Sequence, residues 1–299
     1  MIAPRAVSAL LFASAVVAGT IADRPLVRRV RVIGEYRVLA VDFHTHSSMW
    51  SDGALTPWGL VLEARRAGLD AIAITGHNEV LDARIGRRFS RTIGGPTVLV
   101  GEEVLSAPQY HLIAVGISER VSFQQRAAGA IDEVHRQGGI AIAAHPMPEF
   151  WAGWDADAMK RLDGAEICHP LIYPIDHAQA DFERFAARGS VAAIGSSDFH
   201  GLGPMGACRT FVFASHDSPS AIIDAVRAHR TVVYGRDGRA YGDPSLIPLA
   251  ERAHLVDAAD AWRDRGSILE WWSRLAGVAG LAGIVTFGPR RRSRRQQAA

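Results

Sequence analysis

His44 and His46 stand two residues apart at the end of the apolar run VLAVDF, and Asp52 follows in the same stretch, DFHTHSSMWSDG. Side chains two apart on a strand share a face, so this pair projects two imidazoles together. Neighbouring imidazoles chelate. Neutral His is the commonest ligand for zinc and similar borderline cations, and Asp52 adds a hard anionic oxygen within loop reach. The spacing therefore predicts a metal site. Other residues of ligand type sit in comparable places: His77 in ITGHN, Glu102 and Glu103 in GEEVLS, His111 in YHLIAVG, His145 in AHP, His169 after GAEIC, and Asp198 and His200 in GSSDFH.

Residues so far apart along the chain need a frame that gathers them. Short apolar runs predict strands over 38–43, 70–75, 97–100, 110–115, 140–144, 164–168, 191–195, 209–214 and 231–234. Helices are expected between some of them, over 57–67, about 123–137 and 219–228. The 57–67 helix has Thr56 as its N-cap, Pro57 at its first position and Gly68 as its stop. Alternating strands and helices predict an α/β barrel of parallel strands, whose carboxyl ends converge on one rim where such folds place their chemistry. Most of these strands deliver a His, Asp or Glu at or near that end.

The 299 residues are 48% hydrophobic and 21% charged, the composition of a globular protein with a sizeable core. A formal charge of +2, with much of the arginine in two terminal clusters, gives no reason to expect nucleic acid as an obligate partner. Cys168 and Cys208 are too few for a disulfide framework or a thiolate zinc site; they could pair if exported, and buried thiols are the first expectation. The uncharged stretch 6–22 reads as a signal peptide or an N-terminal membrane segment, which assigns residues 1–24 to it. Near the other end, Trp271 and Trp272 precede a small-residue apolar stretch, and five arginines follow within 290–295. That pattern reads as a C-terminal membrane helix with a basic tail over 267–299. The expected organisation is thus a barrel over 35–245, a linker or helical segment over 246–266, and a membrane-associated protein whose barrel is exported if both end segments cross and stays inside if only the last inserts.

Taken in order, DFHTHSSMWSDG, ITGHN, GEEVLS, HLIAVG, AHP and GSSDFH resemble the polymerase and histidinol phosphatase (PHP) domain superfamily over about residues 38–235. The resemblance implies a distorted (β/α)7 TIM-like barrel with two or three divalent metal ions, Zn, Mn or Fe, that hydrolyses phosphoesters. Carried over by position, His44 and His46 would hold one metal with Glu103 and Asp198. Glu103 would bridge to a second that takes His111 and His145, and Asp52, His77 and His200 would hold a third. Glu103 is preferred to Glu102 because the superfamily pattern is Gly, any residue, Glu. Asp42 would support the ligands from behind. Tyr110, His169 and Arg209, each beside a ligand block, are candidates for contact with a small-molecule ester, expected to be phosphorylated.

One departure stands out. The superfamily usually has Thr-Asp-His where this chain has Thr75, Gly76 and His77, so an acidic group beside a ligand is missing. The later blocks, GSSDFHGLGPMGACRT and AVRAHRTVVYG, resemble the exported hydrolases related to carbaryl hydrolase, which implies a carbamate or carboxyl ester as the alternative substrate. A non-catalytic, membrane-tethered metal-binding module is the reading from a different class.

Overall fold

The structure is a computed structural model that describes residues 3–22, 31–106, 110–170, 177–201, 203–259 and 268–287. It divides into two compact units, Pro25–Arg263 and a unit made of the two ends, Met1–Arg24 with Asp264–Ala299. In chain order the elements begin α1 (Pro4–Ala22), β1 (Arg31–Ile33), β2 (Tyr36–Asp42), α2 (Pro57–Arg66), β3 (Ala71–Ile74), α3 (Leu81–Ile93), β4 (Thr97–Ser106) and β5 (Tyr110–Val115). They continue α4 (Ala127–Arg136), β6 (Ile140–Ala143), a 3-10 turn (Pro148–Gly153), α5 (Ala156–Arg161), β7 (Gly164–Cys168), α6 (Ala178–Ala186) and β8 (Ala192–Gly195). The last are β9 (Thr210–Ala214), α7 (Pro219–Arg227), β10 (Thr231–Tyr234), β11 (Ala240–Gly242), α8 (Ile247–Arg252), α9 (Leu255–Ala259) and α10 (Ile268–Thr286).

The larger unit is a barrel-shaped mixed sheet in the order β11-β10-β9-β2-β3-β4-β5-β6-β7-β8, with β1 paired outside β2. The expectation of parallel strands throughout is corrected. β2, β3 and β4 are parallel to one another, as are β6, β7 and β8, but β5 is antiparallel to both its neighbours and β9 to β2 and β10. For β4 and β5 the reason is length: residues 107–109 are too short a link for the crossover of a dozen or more residues that a parallel pair needs. Thr210 brings the sheet close to closure, its Oγ1 accepting from Gly195 N and donating to Gly195 O, both at 2.8 Å. A Cβ at Gly195 would run into the Cys208 carbonyl, so the approach requires glycine.

Strand alternation splits the core. Leu39, Val41, Ala71, Ala73, Leu99, Ile113, Ile142 and Ile194 fill the barrel together with Ile222 and Val226 of α7. Val38, Ala40, Ile72, Ile74, Val98 and Val100 face outward beneath Leu60, Val61 and Ala64 of α2. Each large apolar side chain fully buried this way contributes about 1.5–3 kcal/mol. Thr56 caps α2 as its sequence predicts, accepting from Gly59 N at 3.2 Å. α3 was not expected. Its inner face is made of Ala83, Gly86 and Ser90, too small to register as an apolar stripe, and a Cβ at Gly86 would strike Ile74. Ala250 and Leu255 of α8 and α9 belong to the same outer core rather than to a free linker.

In the smaller unit, α1 and α10 each have 19 residues and enough apolar character to cross a membrane. They lie antiparallel along small residues. A Cβ at Gly19 would come 2.6 Å from Ser273 Oγ, one at Gly277 3.6 Å from Ala15 Cβ, and one at Gly280 2.6 Å from Phe12 N. Close backbone approach along small residues is how apolar helices pair where water provides no driving force. The arginines of 290–295, and Arg24, Arg28 and Arg29, lie outside the described residues.

Cys168, at the end of β7, is disulfide-bonded to Cys208 with their Cα atoms 5.5 Å apart. This corrects the expectation of free thiols. Forty residues separate the two in sequence, so only the strand arrangement makes them neighbours.

Candidate metal centre

The strand ends deliver the ligand-type residues to one rim. β2 leads into His44 and His46, β3 into His77, β6 into His145, β7 into His169, and β8 into Asp198 and His200. Glu103 comes from within β4 and His111 from the start of β5, whose reversed direction puts its amino end at this rim. Thr45 points away between the two imidazoles, its Oγ1 donating to Ala73 O at 2.7 Å. The two signature loops are themselves paired: His46 N donates to Phe199 O at 2.9 Å and Phe199 N to His44 O at 3.3 Å. His145 and Asp198 hold positive φ, 24° and 48°, an unfavourable backbone for residues with a Cβ that tends to be kept at functional sites.

Glu103 is the hub. Its Oε2 lies 3.3 Å from His44 Nε2, 3.6 Å from His46 Nε2 and 3.1 Å from His77 Nε2, while its Oε1 lies 3.2 Å from both His111 Nδ1 and His145 Nε2. Asp198 Oδ1 is 3.3 Å from His44 Nε2 and 3.0 Å from His46 Nε2. Asp52 Oδ1 is 3.1 Å from His200 Nε2 and 3.8 Å from Nδ1 of both His46 and His77. Donors about 2.1 Å from one cation stand roughly 3.0–3.4 Å apart along the edges of their polyhedron, which is the spacing found around Glu103. Among the described residues, four overlapping groups could each hold an ion: His44, Glu103, His145; His44, His46, Asp198; His44, Glu166, His169; and His46, Asp52, His77, His200.

Unsatisfied atoms support the same conclusion. Among the described residues, Nε2 of His44 and His46, Nδ1 of His111 and Oδ1 of Asp198 are buried without a hydrogen bond. Stranding polar atoms in an interior costs free energy unless something meets them. Cations held among these residues would meet them, one at His44, His46 and Asp198 and another at His111. The donors are imidazole and carboxylate with no thiolate, which suits Zn, Mn or Fe(II).

Glu166 is the residue that sequence reasoning missed. Fully buried in β7, it receives His44 Nδ1 at 3.1 Å and the backbone N–H of His145. A carboxylate on Nδ1 fixes the tautomer that leaves Nε2 free to bind a metal. The signal was an acid inside GAEIC, an apolar run read as a buried strand, since a carboxylate there must have partners.

Electrostatics follow from burial against this crowd of opposite charges. Burial pushes His44 down, but Asp198, Glu103 and Glu166 carry it well above the ordinary histidine range. Burial takes His46 down to about 4, opposed by Asp198, so its imidazole is neutral at physiological pH. For Glu103, burial is outweighed by His44, His111 and His145, which hold the carboxyl well below its usual range. Asp198 is likewise held low, chiefly by His44 and His169 against burial.

The expected supporting residue Asp42 is wholly buried and accepts from Ser197 N at 3.0 Å, Gly206 N at 2.8 Å and Ser197 Oγ, which ties down the loop that carries Asp198. His169 is in the cluster, 3.6 Å from Asp198 and 3.8 Å from Glu166. Tyr110 and Arg209 are not gathered with it. Alternation sends Tyr110 to the face opposite His111, where its hydroxyl donates to Gln125 O at 2.9 Å. Arg209 donates to the carbonyls of Gly206 and Ala67 at 3.1 and 3.4 Å. Glu102 faces away from Glu103 and accepts from Val121 N.

No family model matches the chain. Over 140 residues, 43% of this chain and 81% of the relative, it is 25% identical to an uncharacterized protein of Methanocaldococcus jannaschii. Among solved structures it is similar to a two-domain protein from Bacteroides vulgatus containing a predicted PHP-like metal-dependent phosphoesterase. That likeness has a TM-score of 0.60 and 24% identity, and covers 77% of this chain and 74% of the other. The chain has the PHP fold. An amidohydrolase from Chromobacterium violaceum shows a fainter likeness, at TM-score 0.44 and 18% identity over 56% of this chain and 89% of its own. None of these three points to the carbaryl-hydrolase branch. Within the PHP fold, the cluster around Glu103 occupies the rim of the barrel to which the strand ends of both halves lead.

Proposed function

We propose that this protein is a metal-dependent hydrolase that cleaves a small-molecule ester, a phosphoester in the first instance, at a centre of two or three divalent cations. The observation that carries the reading is the single carboxylate of Glu103 facing His44, His46 and His77 with one oxygen and His111 and His145 with the other. That is the arrangement of a bridging ligand. His44, His46, Asp198 and Glu103 would hold one cation, Glu103, His111 and His145 a second, and Asp52, His77 and His200 a third, the last shared with His46. Cations held there would supply Lewis acidity for an attacking water and for the ester oxygens. Glu166 holds His44 by Nδ1 so that Nε2 stays aimed inward. Asp42 keeps the loop bearing Asp198 and His200 in register.

Accessibility sets the direction of approach. His44, His46 and Glu103 are buried, whereas Asp52 is 59% and His200 33% exposed, so the substrate enters past Asp52 and His200. One observation favours a neutral ester as the second reading. Arg209, the cation expected beside the ligands, is buried and donates to the carbonyls of Gly206 and Ala67, which leaves the metals as the charges proposed to face a phosphoryl group. The Cys168–Cys208 bond supports a barrel facing an oxidising compartment.

The test is metal analysis of the purified full chain, together with hydrolysis of an aryl phosphate, an aryl carboxylate and an aryl carbamate before and after chelation. Bound metal and chelator-sensitive phosphate release are expected. A preference for the carboxylate or carbamate would establish the second reading. Protein that binds metal but turns over none of the three would be the non-catalytic module, and a chain that binds no metal would refute all of these readings.

A further inference from the structure

Asp82 is a buried carboxylate to which the proposed reaction gives no part. It sits in the first turn of α3 with no solvent exposure. Its Oδ2 accepts from Ser47 Oγ at 2.8 Å and its Oδ1 from Ala83 N at 2.7 Å. Ser47 follows His46 directly, and its carbonyl accepts from Gly53 N at 3.0 Å, closing the loop that carries Asp52. Asp82 therefore holds the base of a loop whose two ends bear His46 and Asp52.

On its other side the same carboxylate meets the turn that carries His77. A Cβ built on Gly76 would stand 2.6 Å from Asp82 Oδ2 and 3.2 Å from its Cγ. Gly76 is not among the glycines at positive φ, so the backbone does not demand glycine here. Space does. The void that a side chain at 76 would enter is already filled by an acid from α3, six residues further along the chain. Burying a carboxylate is costly without compensation, and here the compensation is Ser47 and the amino end of α3.

We propose that Asp82 is a positioning residue for the outer cation group, His46, Asp52, His77 and His200. It locks the 47–53 loop and the Gly76 turn against one helix end, supplying through space the acid that the Thr-Gly-His sequence lacks. The proposal rests on the metallohydrolase reading, and its test separates the two. Cation binding is titrated with Mn2+ alone on the full-length protein for wild type, Asp82→Asn, Ser47→Ala, Asp82→Gly, Gly76→Asp and the reciprocal exchange Gly76→Asp with Asp82→Gly. Amide hydrogen exchange at Gly53 and His77 is followed in chelator.

Removal of a supporting partner of metal ligands typically weakens binding about 10–100-fold. Asp82→Asn and Ser47→Ala should each weaken the most loosely held cation about tenfold, leave the tighter binding unchanged and speed exchange at Gly53 in chelator. Gly76→Asp alone, with two acids competing for one space, should lose more, and the reciprocal exchange should recover most of what Asp82→Gly loses. Wild-type affinity and wild-type exchange in both Asp82→Asn and Ser47→Ala would overturn the proposal, as would an exchange double variant no better than Asp82→Gly. A wild type that binds no Mn2+ would count against the metallohydrolase reading alone, because exchange at Gly53 still reports on Asp82.

Discussion

Replacing Cys168 and Cys208 together by alanine removes a cross-link that spans 40 residues. Closing a loop of that length in the unfolded chain corresponds to roughly 4 kcal/mol at 25 °C in the chain-entropy account. Both cysteines are almost wholly buried, at 0% and 4% exposure, so the lost sulfur contacts add about 1 kcal/mol. Domains of this kind are stable by only about 5–15 kcal/mol, so the variant should lose a large share of its stability. The linked segment contains His169, Asp198 and His200, and its loosening should also weaken cation binding. The assay is urea unfolding of the full chain in detergent, followed by tryptophan fluorescence, for wild type with and without reductant and for the double alanine variant. A loss below about 1 kcal/mol, or two reactive thiols in native protein exported to an oxidising compartment, would refute the reasoning.

Two further predictions concern the buried acids. Burial raises Glu102 to about 7 from 4.5, against the hydrogen bond from Val121 N. Between those values the folded state keeps a proton that the unfolded chain has lost, so this group's contribution is complete below pH 4.5 and is lost as pH rises through 7, an effect of about 3 kcal/mol. Glu102→Gln should flatten that part of the stability profile and raise the urea midpoint at pH 8 more than at pH 5; equal shifts at both pH values would be the contrary result. Glu166→Gln keeps the shape but removes the charge on His44 Nδ1, and should weaken binding of the inner cations about 10–100-fold with little change in secondary structure by circular dichroism. Unaltered metal affinity would remove Glu166 from the centre.

Much of the site could be read from the sequence because its chemistry is punctuated: an apolar run stops and a histidine or acid follows. His44, His77, His145 and Asp198 are of this kind, and the structure gathers them. Reading failed where the signal was relational. Glu166 lies within a run rather than after one. Tyr110 and His111 are neighbours in sequence but face opposite ways, so adjacency along the chain did not place both at the cluster. α3 escaped because its buried face is made of small residues. Strand direction was legible in the short link at 107–109 and was passed over in favour of the repeating pattern. The cysteine pairing and the meeting of Asp82 with Gly76 depend on distances that no local window contains.

The register of α1 against α10 bears on how the chain matures. Gly19 faces Ser273, Ala15 faces Gly277 and Phe12 faces Gly280, so Ala22 and Ile268 share one end of the pair while Pro4 and Thr286 share the other. Discarding α1 as a leader peptide would therefore uncover the glycine track of α10, whereas keeping it leaves the two small-residue faces covered by each other.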